Sequence, residues 1–459
     1  SEMCIRDRTR PGYHSSHESS LRPAGEDREV TMRSLPHAES MPIRAAAPAA
    51  VFLALTILLG APALLLALDP GSSLARVWTV AQEGPADFPT IQQAIDAAHD
   101  GDEIRIFPGT YFESLFLQSK VITLTGVAGA AATIVDATGL GSGLRIPFTP
   151  NGQPVVRGLT FQNGIGTPLQ APLHVPLPRD GRYGGGILID SAHPRIEDCV
   201  VSGNGGTDGG GVAIIGGWPT LRRCRIAGNA AGNGGGVSLL IDVGSTFEDC
   251  EIVDNASVTG GGFAGFRSGP RLLDCVVAGN SAVDGGAIHL TLPGETVCRV
   301  EGSRLVDNFA ERGGAIFATG VSLRVDGATI AGNRADPGQS PAISLEDGAA
   351  LQMTATVVQA AGGGEVFSCA GVPPAYLDCA VLWPAEAVDP SCFTGDRVLV
   401  ADPRFCDPGA GDYAPSSDSP LLPGHGPAGC GRIGALDAGC EEPTAVATVD
   451  WGRLRLLFR

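Results

Sequence analysis

The sequence predicts an all-β protein built as a parallel β-solenoid, in which successive coils of chain stack along one axis. Two observations carry this prediction: a repeat of fixed length, and short runs of β-branched and aliphatic residues inside each repeat without helical periodicity. One copy reads GGGVAIIGGWPTLRRCRIAGNAAGN, from Gly209 to Asn233. A propeller blade would need about 40 residues per unit. We therefore expect one coil in every 25 residues or so, with the clearest repeats over residues 184–336.

An asparagine marks each of six copies, at spacings of 25 to 28 residues, and a glycine run opens each copy. Asn tolerates the left-handed region of backbone space best after Gly, so we expect each marker at a tight corner in that conformation. Stacked at one corner, the side-chain amides would pass hydrogen bonds from coil to coil as a structural ladder. The markers are Asn204, Asn229, Asn255, Asn280, Asn308 and Asn333.

A second column lies five residues before the markers and contains a cysteine in four consecutive copies. The residue two positions later is apolar in every copy, so both columns share the inward face of a strand. We expect a buried ladder of thiols and no metal site, because one ligand per coil cannot surround a metal tetrahedrally. The column consists of Cys199, Cys224, Cys250 and Cys275.

The residues that flank the cysteines are expected to point outward, and their charge alternates from copy to copy. An Arg-rich rung lies between two acidic rungs, and parallel coils stack about 4.8 Å apart, so each charge would face its opposite. Such exposed pairs fix the order of coils while each contributes only about 0 to 1 kcal/mol. The charged positions are Glu197, Asp198, Arg222, Arg223, Arg225, Glu248, Asp249 and Glu251.

Three apolar side chains, Ile215, Leu240 and Phe266, are expected to stack on the outside of neighbouring coils. Such an exposed apolar patch should either be covered by another part of the chain or serve as a binding surface. Burial under an insertion at residues 164–183 or under the C-terminal tail is the favoured interpretation, and a binding surface is the second. Trp218 is the one Trp within the repeats and a weak sign of carbohydrate binding, while the isolated His193 and His289 are interpreted as surface or turn residues.

The ends of the chain differ from the repeats. Residues 1–40 are polar and unpatterned, and we expect a disordered or artefactual leader there. Residues 41–75 carry an apolar run typical of a signal peptide, with an uncleaved membrane anchor as the alternative and the one expected membrane contact. Residues 443–459 form a basic apolar tail. The net charge of −18 argues against a nucleic-acid partner.

Six cysteines crowd into the last quarter, within residues 366–442, where the repeat has none in its column. In an exported protein an even cluster of six indicates three disulfides, and fifteen pairings remain open from sequence alone. The positions are Cys369, Cys379, Cys392, Cys406, Cys430 and Cys440.

Two resemblances sharpen the fold. The segment Phe88–Tyr111, FPTIQQAIDAAHDGDEIRIFPGTY, resembles the entrance of the pectin-lyase-like superfamily, where a helix plugs the open end of a right-handed parallel β-helix. The phrases GNSAVDGGAIHL and DNFAERGGAIFA resemble the GGAI and FxxN repeats of polymorphic outer-membrane proteins, which are surface adhesins. We therefore expect a right-handed parallel β-helix over residues 76–365 with an N-terminal capping helix.

The stretch Ala401–Cys440 resembles the terminal cap of many bacterial secreted β-helix proteins, through its DP-x-F, GDY, SP and IGA phrases. This implies a disulfide-rich C-terminal cap and a location outside the cell or in the cell envelope of a bacterium.

The superfamily contains lyases, esterases, hydrolases and non-enzymatic adhesins, so its fold does not decide the activity. The sequence contains no Asp-Asp dipeptide, which the polygalacturonase pattern requires. It also contains neither the GxxDFIFG segment nor the LGRPW segment of the pectin methylesterase pattern. A lyase would use an arginine base with calcium, and the candidates are Arg222, Arg223, Arg225, Asp198 and Asp249.

The expected function is therefore that of a secreted or surface-attached β-helix protein with a structural or adhesin-like role, of which carbohydrate binding is one form, without a cofactor. Its expected partner is a polysaccharide or another cell-surface component. The alternative is a polysaccharide lyase or other carbohydrate-active enzyme acting on acidic polysaccharide, with Ca²⁺ as its cofactor.

Overall fold

The computed structural model describes residues 75–150, 152–169, 181–241, 244–291, 297–335, 342–361, 365–369 and 373–440. Throughout this part the chain winds into a parallel β-solenoid, as predicted. Thr220 pairs in register with Arg195 on one side and with Thr246 on the other, so one coil takes 25 or 26 residues. The expected leader, the expected signal peptide up to residue 74 and the expected C-terminal tail lie outside the described residues.

Each coil of the repeat region contains four short strands separated by tight corners. In one coil these are Val212–Ile215 in sheet C, Thr220–Arg222 in sheet A, and Arg225–Ala227 and Ala230–Asn233 in two rows of sheet B. Residues in the left-handed backbone conformation form the corners between these strands, because the sharp change of chain direction requires a positive φ. Glycine supplies most of these corners.

Sheet A runs along the whole described β-helix and contains thirteen strands of the described residues. They are Val77–Val80, Glu103–Ile106, Thr123–Gly126, Val155–Arg157, Arg195–Glu197, Thr220–Arg222, Thr246–Glu248, Arg271–Leu273, Cys298–Glu301, Ser322–Asp326, Ala350–Thr354, Ala375–Asp378 and Phe393–Thr394.

Sheet B contains nineteen described strands in two rows. The first row comprises Gly109–Tyr111, Thr133–Asp136, Thr160–Gln162, Val200–Ser202, Arg225–Ala227, Glu251–Val253, Val276–Ala278, Arg304–Val306, Thr329–Ala335, Val357–Ala360, Ala380–Trp383 and Val398–Val400. The second row comprises Thr167–Pro168, Arg182–Tyr183, Gly205–Asp208, Ala230–Asn233, Ala256–Thr259, Ser281–Asp284 and Phe309–Arg312.

Sheet C contains ten described strands, and a short antiparallel hairpin follows the last coils. The sheet C strands are Leu115–Phe116, Leu144–Ile146, Ile187–Asp190, Val212–Ile215, Val237–Leu240, Phe263–Phe266, Ile288–Thr291, Ile316–Thr319, Ile343–Glu346 and Phe367–Ser368. The hairpin strands are Phe405–Asp407 and Asp412–Pro415, and the 3-10 helices are Ala385–Ala387, Pro390–Cys392 and Pro408–Ala410.

A seven-residue helix, Ile91–Ala97, caps the N-terminal end, as the resemblance implied. Thr90 accepts a hydrogen bond from the backbone N–H of Gln93 at 3.4 Å. The Glu113 carboxylate accepts two more from the first residues of the helix, each at 2.8 Å, which satisfies amide groups that would otherwise lack partners. Ile91, Ala94 and Ile95 are buried against the core.

The expected asparagine ladder is present, but its corner geometry differs from the expectation. In the middle of the ladder Asn255 Oδ1 accepts from the backbone N–H and the side-chain amide of Asn229, both at 3.0 Å. Its own Nδ2 donates to Ile226 O and to Asn280 Oδ1, both at 3.0 Å. The asparagines of the ladder are at most 3% exposed.

The prediction that the asparagines take the left-handed conformation is wrong. The residue before each marker takes it instead, with φ between 56° and 68°. That residue is glycine in most copies and aspartate in the others, so the corner is completed before the Asn and its side chain turns into the interior. The corner residues are Gly203, Gly228, Asp254, Gly279, Asp307 and Gly332.

The described C-terminal residues contain three disulfides, as predicted, and the structure resolves their pairing. The bonds join Cys369 to Cys392, Cys379 to Cys430, and Cys406 to Cys440. Residues 401–440, which we call the returning segment, include Cys430 of the bond to Cys379. This segment folds back on the outside of sheet B, where Leu421 and Ile433 are buried against the last coils. No helix among the described residues is long and apolar enough to cross a membrane.

Candidate functional site

Polar side chains stack on the outside of the β-helix at the last position before each glycine run. Asp208, Asn233, Thr259, Asp284 and Arg312 occupy this position in consecutive coils and pair in register. Asn233 Nδ2 donates to Asp208 Oδ1 at 2.8 Å, and Thr259 Oγ1 donates to Asn233 Oδ1 at 2.7 Å. Arg312 binds both oxygens of Asp284, at 2.6 and 2.8 Å. We call these five residues the polar column.

Beside the polar column, the outward face of sheet C is apolar. Ile215, Leu240 and Phe266 lie side by side in neighbouring coils, as the sequence suggested. They belong to a cluster that is separate from the interior core and includes Tyr183 and Leu188. The β-helix therefore carries a second, external apolar surface here.

A pocket of about 260 Å³ opens between the polar column and this surface. Its lining combines apolar side chains with a carboxylate, an amide, hydroxyls and an imidazole, so it offers both kinds of contact that a small polar ligand needs. The lining residues are Asp208, Asn233, Ser238, Leu239, Leu240, Thr259, Ala264, Gly265, Phe266, His289 and Thr291.

Asp208 is the most unusual group of this pocket. The residue is 3% exposed. One carboxylate oxygen accepts from Asn233, whereas Oδ2 is buried and has no hydrogen-bond partner among the residues that the structure describes. Burial raises the pKa of the carboxyl above its ordinary value, because removal from water disfavours the charged form, and the Asn233 hydrogen bond opposes this only in part. A buried polar atom without a partner demands an explanation.

His289 differs from one expectation, since it lies in a strand and not in a turn, and it is partly buried on the outward face of sheet C. It lies in the strand Ile288–Thr291, lines the pocket, and stacks on Phe317 with ring centroids 5.2 Å apart. Burial lowers the pKa of the imidazole to about 4, so the ring is neutral at physiological pH. The charge of Asp284 raises the pKa of His289, but this carboxylate is already bound by Arg312.

The insertion begins to cover the apolar surface, which was the favoured expectation. Leu169 packs against the cluster that contains Ile215 and Leu240. The ends of the insertion form an antiparallel pair, in which Thr167 lies opposite Tyr183. Residues 170–180 lie outside the described residues.

Trp218 and His193 form a separate aromatic pair. Their ring centroids are 3.5 Å apart and nearly parallel, and His193 Nδ1 accepts from the backbone N–H of Trp218 at 3.2 Å. Trp218 is 54% exposed. Trp218 is not among the residues that line the pocket beside Phe266.

The Arg-rich rung contacts the carboxylates of both neighbouring rungs. Arg223 binds Asp198 through two hydrogen bonds, at 2.7 and 2.8 Å. Arg222 approaches Glu248 at 3.8 Å, and Arg225 is paired with Glu251. The hydrogen bond from Arg223 lowers the pKa of Asp198.

This rung is a poor catalytic base. The hydrogen bond to Asp198 raises the pKa of Arg223, so the guanidinium holds its proton more tightly. A catalytic base has to be unprotonated before it can accept a proton from the substrate. Asp249, the other carboxylate named for a lyase, also acts on Arg223 electrostatically in the same direction. The geometry is therefore that of a charge-paired wall.

The cysteine column lies inside the β-helix. Its thiols contact backbone carbonyls of their own and the preceding coil; for example, Cys224 Sγ lies 3.4 Å from both Arg222 O and Ile196 O. Hydrogen bonding with Cys199 and Cys250, together with burial, raises the pKa of the Cys224 thiol. Within the described part of the chain, no group of three or more His, Cys, Asp or Glu is arranged to hold a metal ion.

Sequence reasoning missed Asp208, Asn233, Thr259 and His289 as members of one site. A signal for the first three was present, because the position before each glycine run is polar in every copy from Asp208 to Arg312.

Comparison with known proteins adds to this description. A family model described as right handed beta helix region matches residues 148–335. Among solved structures, the chain is similar to a pectate lyase, Pel9A, at 14% identity, with 80% of this chain and 98% of that chain covered and a TM-score of 0.49. No curated protein sequence matches the chain.

Two pectin methylesterase structures are also similar to it. The enzyme from carrot shows 14% identity, with 72% of this chain and 90% of that chain covered and a TM-score of 0.34. The enzyme from Aspergillus niger in deglycosylated form shows 13% identity, with 72% and 93% covered and a TM-score of 0.34. The likeness to polymorphic outer-membrane repeats stays a prediction. The parallel pairing of successive coils and the family model together identify the fold as a right-handed parallel β-helix.

Proposed function

We propose that the protein is an exported carbohydrate-binding β-helix, which holds part of a glycan in the pocket between the polar column and sheet C. The single observation that carries this proposal is the pairing of Phe266 with a row of hydrogen-bonding groups around one pocket. A sugar ring has an apolar C–H face and a polar edge of hydroxyls. Concave sites that combine an apolar floor with a few placed polar groups are the usual form of small-molecule sites.

The hydroxyl-binding groups are held in place before any ligand arrives. Asn233 and Thr259 are fixed by their hydrogen bonds along the column, and Ser238 lies buried on the adjacent strand. Groups fixed in advance lose little conformational entropy on binding, which favours affinity.

Charge favours a glycan that is not acidic. The chain carries a net charge of −18, and the arginines of the Arg-rich rung are engaged by carboxylates. A polyuronate would therefore meet like charge without a free cationic row. This places the acidic-polysaccharide lyase second.

The three disulfides support export, because such bonds persist in oxidising compartments. An extracellular or envelope location also gives a glycan-binding protein access to polysaccharide.

Calorimetry with a panel of neutral, amino and acidic oligosaccharides tests the proposal. We expect binding of at least one non-acidic member, and we expect Phe266→Ala to weaken it by about tenfold or more, since burial of an aromatic ring contributes about 1.5 to 3 kcal/mol. Trp218→Ala is the matched control, because it removes an aromatic ring outside the pocket, and it should leave affinity unchanged.

Three results would contradict the proposal. They are no binding to any glycan, equal weakening by both variants, or selective binding of polygalacturonate with release of unsaturated uronides in the presence of calcium. The last result would establish the lyase alternative.

A further inference from the structure

The pocket contains one carboxyl group whose surroundings leave it incomplete. Asp208 is almost fully buried, yet Oδ2 lacks a hydrogen-bond partner among the described residues. Isolation of a carboxylate from water without a partner is costly, and proteins ordinarily compensate it with donors or an opposite charge. Asp208 lines the pocket, but Oδ2 itself is shielded from solvent, so the carboxyl group has to turn towards the pocket before a ligand can supply the missing donor.

Two hydrogen bonds of the polar column form a chain that ends at this carboxyl group. Thr259 donates to Asn233, and Asn233 donates to Asp208. Asp208 is thus the accepting end of an oriented chain, and its second oxygen is left to accept from a group that does not belong to the column. An additional acceptor in the ligand would not complete it.

The charge of the carboxyl group is also uncompensated inside the pocket. The lining residues include no lysine or arginine. Arg312, the nearest cation of the column, is committed to Asp284 through two hydrogen bonds. His289 has a pKa of about 4 and carries no charge at physiological pH.

We propose that the glycan bound in this pocket is an amino sugar with a free amine, and that its ammonium group donates to Asp208 Oδ2. An ammonium supplies both the missing hydrogen-bond donor and the missing positive charge, whereas a hydroxyl supplies only the donor. Phe266 lines the same pocket and offers an aromatic face that tolerates a cation. The proposal rests on the proposed function and names its ligand class.

The experiment compares two oligosaccharide series of equal length, glucosamine oligomers and N-acetylglucosamine oligomers, by calorimetry on the full chain. The two series share ring shape and hydroxyls, and acetylation removes the charge of the amine and adds an acetyl group. We expect the free-amine series to bind about tenfold tighter or more, the range of a charge-assisted hydrogen bond. Asp208→Asn should bring this preference close to unity, because an amide keeps the bond with Asn233 and removes the charge.

Asp190→Asn is the matched control. Asp190 lies on sheet C one coil before Ile215 and is half-buried at the surface, so this variant changes the net charge equally without touching the pocket. It should keep the full preference for the free amine.

The outcomes separate the two proposals. Equal binding of both series by the wild type, or a preference that Asp208→Asn retains, would overturn the amine proposal and leave glycan binding intact. Loss of the preference in both variants would assign it to general electrostatic attraction and would also overturn the proposal. Failure of every glycan to bind would remove the proposed function itself. If Asp208→Asn does not fold, equal binding of both series by the wild type still overturns the amine proposal.

Discussion

Asn255 shows how much a single side chain does in this β-helix. Its amide links the coil before it to the coil after it, through two accepted and two donated hydrogen bonds of its side chain. Asn is suited to this position because its side chain carries both a donor and an acceptor on a short stem. The asparagine ladder therefore gives hydrogen-bond partners to buried backbone amides that a corner would otherwise leave without any.

Replacement of Asn255 by alanine should destabilise the protein by about 3 kcal/mol or more, because buried donors left without a partner cost about 1 to 3 kcal/mol each. Asn229 would lose the acceptor of its backbone N–H and of one amide hydrogen. Chemical denaturation monitored by circular dichroism measures the change. Val258→Ala, at a side chain that is 56% exposed in the same coil, should shift stability by less than about 0.5 kcal/mol. A similar small shift for Asn255→Ala would show that the ladder does not stabilise the coils.

Residues of the ladder could be predicted from sequence, whereas for Asp208 only its place in a polar column could be predicted, and not its burial beside a pocket. The period places Asp208, Asn233 and Thr259 in one column, but the period does not show which outward positions are covered. The residue paired with Asp208 in the preceding coil is Tyr183, which belongs to the end of the insertion. Insertions interrupt the repeat, so no periodicity predicts what they bury.

At the scale of strands, the outward faces of sheets A and B distinguish one coil from the next. The interior columns are nearly the same in every copy, so they hold the coils together without fixing their order. The charged rungs differ, and Arg223 with Asp198 joins two neighbouring rungs through a bidentate contact. The charge alternation could be predicted from sequence, because the local sequence gives the charge of each rung and the period shows which rungs are neighbours.

Arg223→Glu should lower the melting temperature slightly, since it removes an exposed pair and places like charges in adjacent rungs. Thermal unfolding at low ionic strength measures the effect. The difference from wild type should shrink in about 1 M salt, where the Debye length is about 3 Å. The double exchange Asp198→Arg with Arg223→Asp restores opposite charges and should recover part of the loss. An unchanged melting temperature for Arg223→Glu at low salt would argue against ordering of coils by charge.

At the scale of the whole molecule, a solenoid is stabilised by contacts between adjacent coils, so its two ends have to be closed by different means. The helix Ile91–Ala97 closes the first end, and its sequence was recognisable because it is local and amphipathic. The second end is closed by a segment that returns over sheet B and is held by disulfides. Their number was predictable from the cysteine count, but their pairing depends on how the segment folds back, and six cysteines allow fifteen pairings.

The bond between Cys379 and Cys430 should matter most for this closure, because it ties the returning segment to the last coils across 51 residues. Replacement of both cysteines by serine should cost up to about 4 kcal/mol in the chain-entropy model, and the loss should be local. Hydrogen exchange measured by mass spectrometry should then accelerate around Leu421 and Ile433 and in the strand Val357–Ala360 against which they pack, and stay slow in the central coils.

The bond between Cys406 and Cys440 provides the matched control, since both cysteines lie within the returning segment and close a loop of comparable length, 34 residues. Its replacement by two serines should loosen the hairpin of strands Phe405–Asp407 and Asp412–Pro415 while Leu421 and Ile433 stay protected. Uniform acceleration of exchange across all coils in either variant would mean that the β-helix unfolds as one unit. In that case stability would not be the nearest-neighbour sum that the stacked architecture predicts.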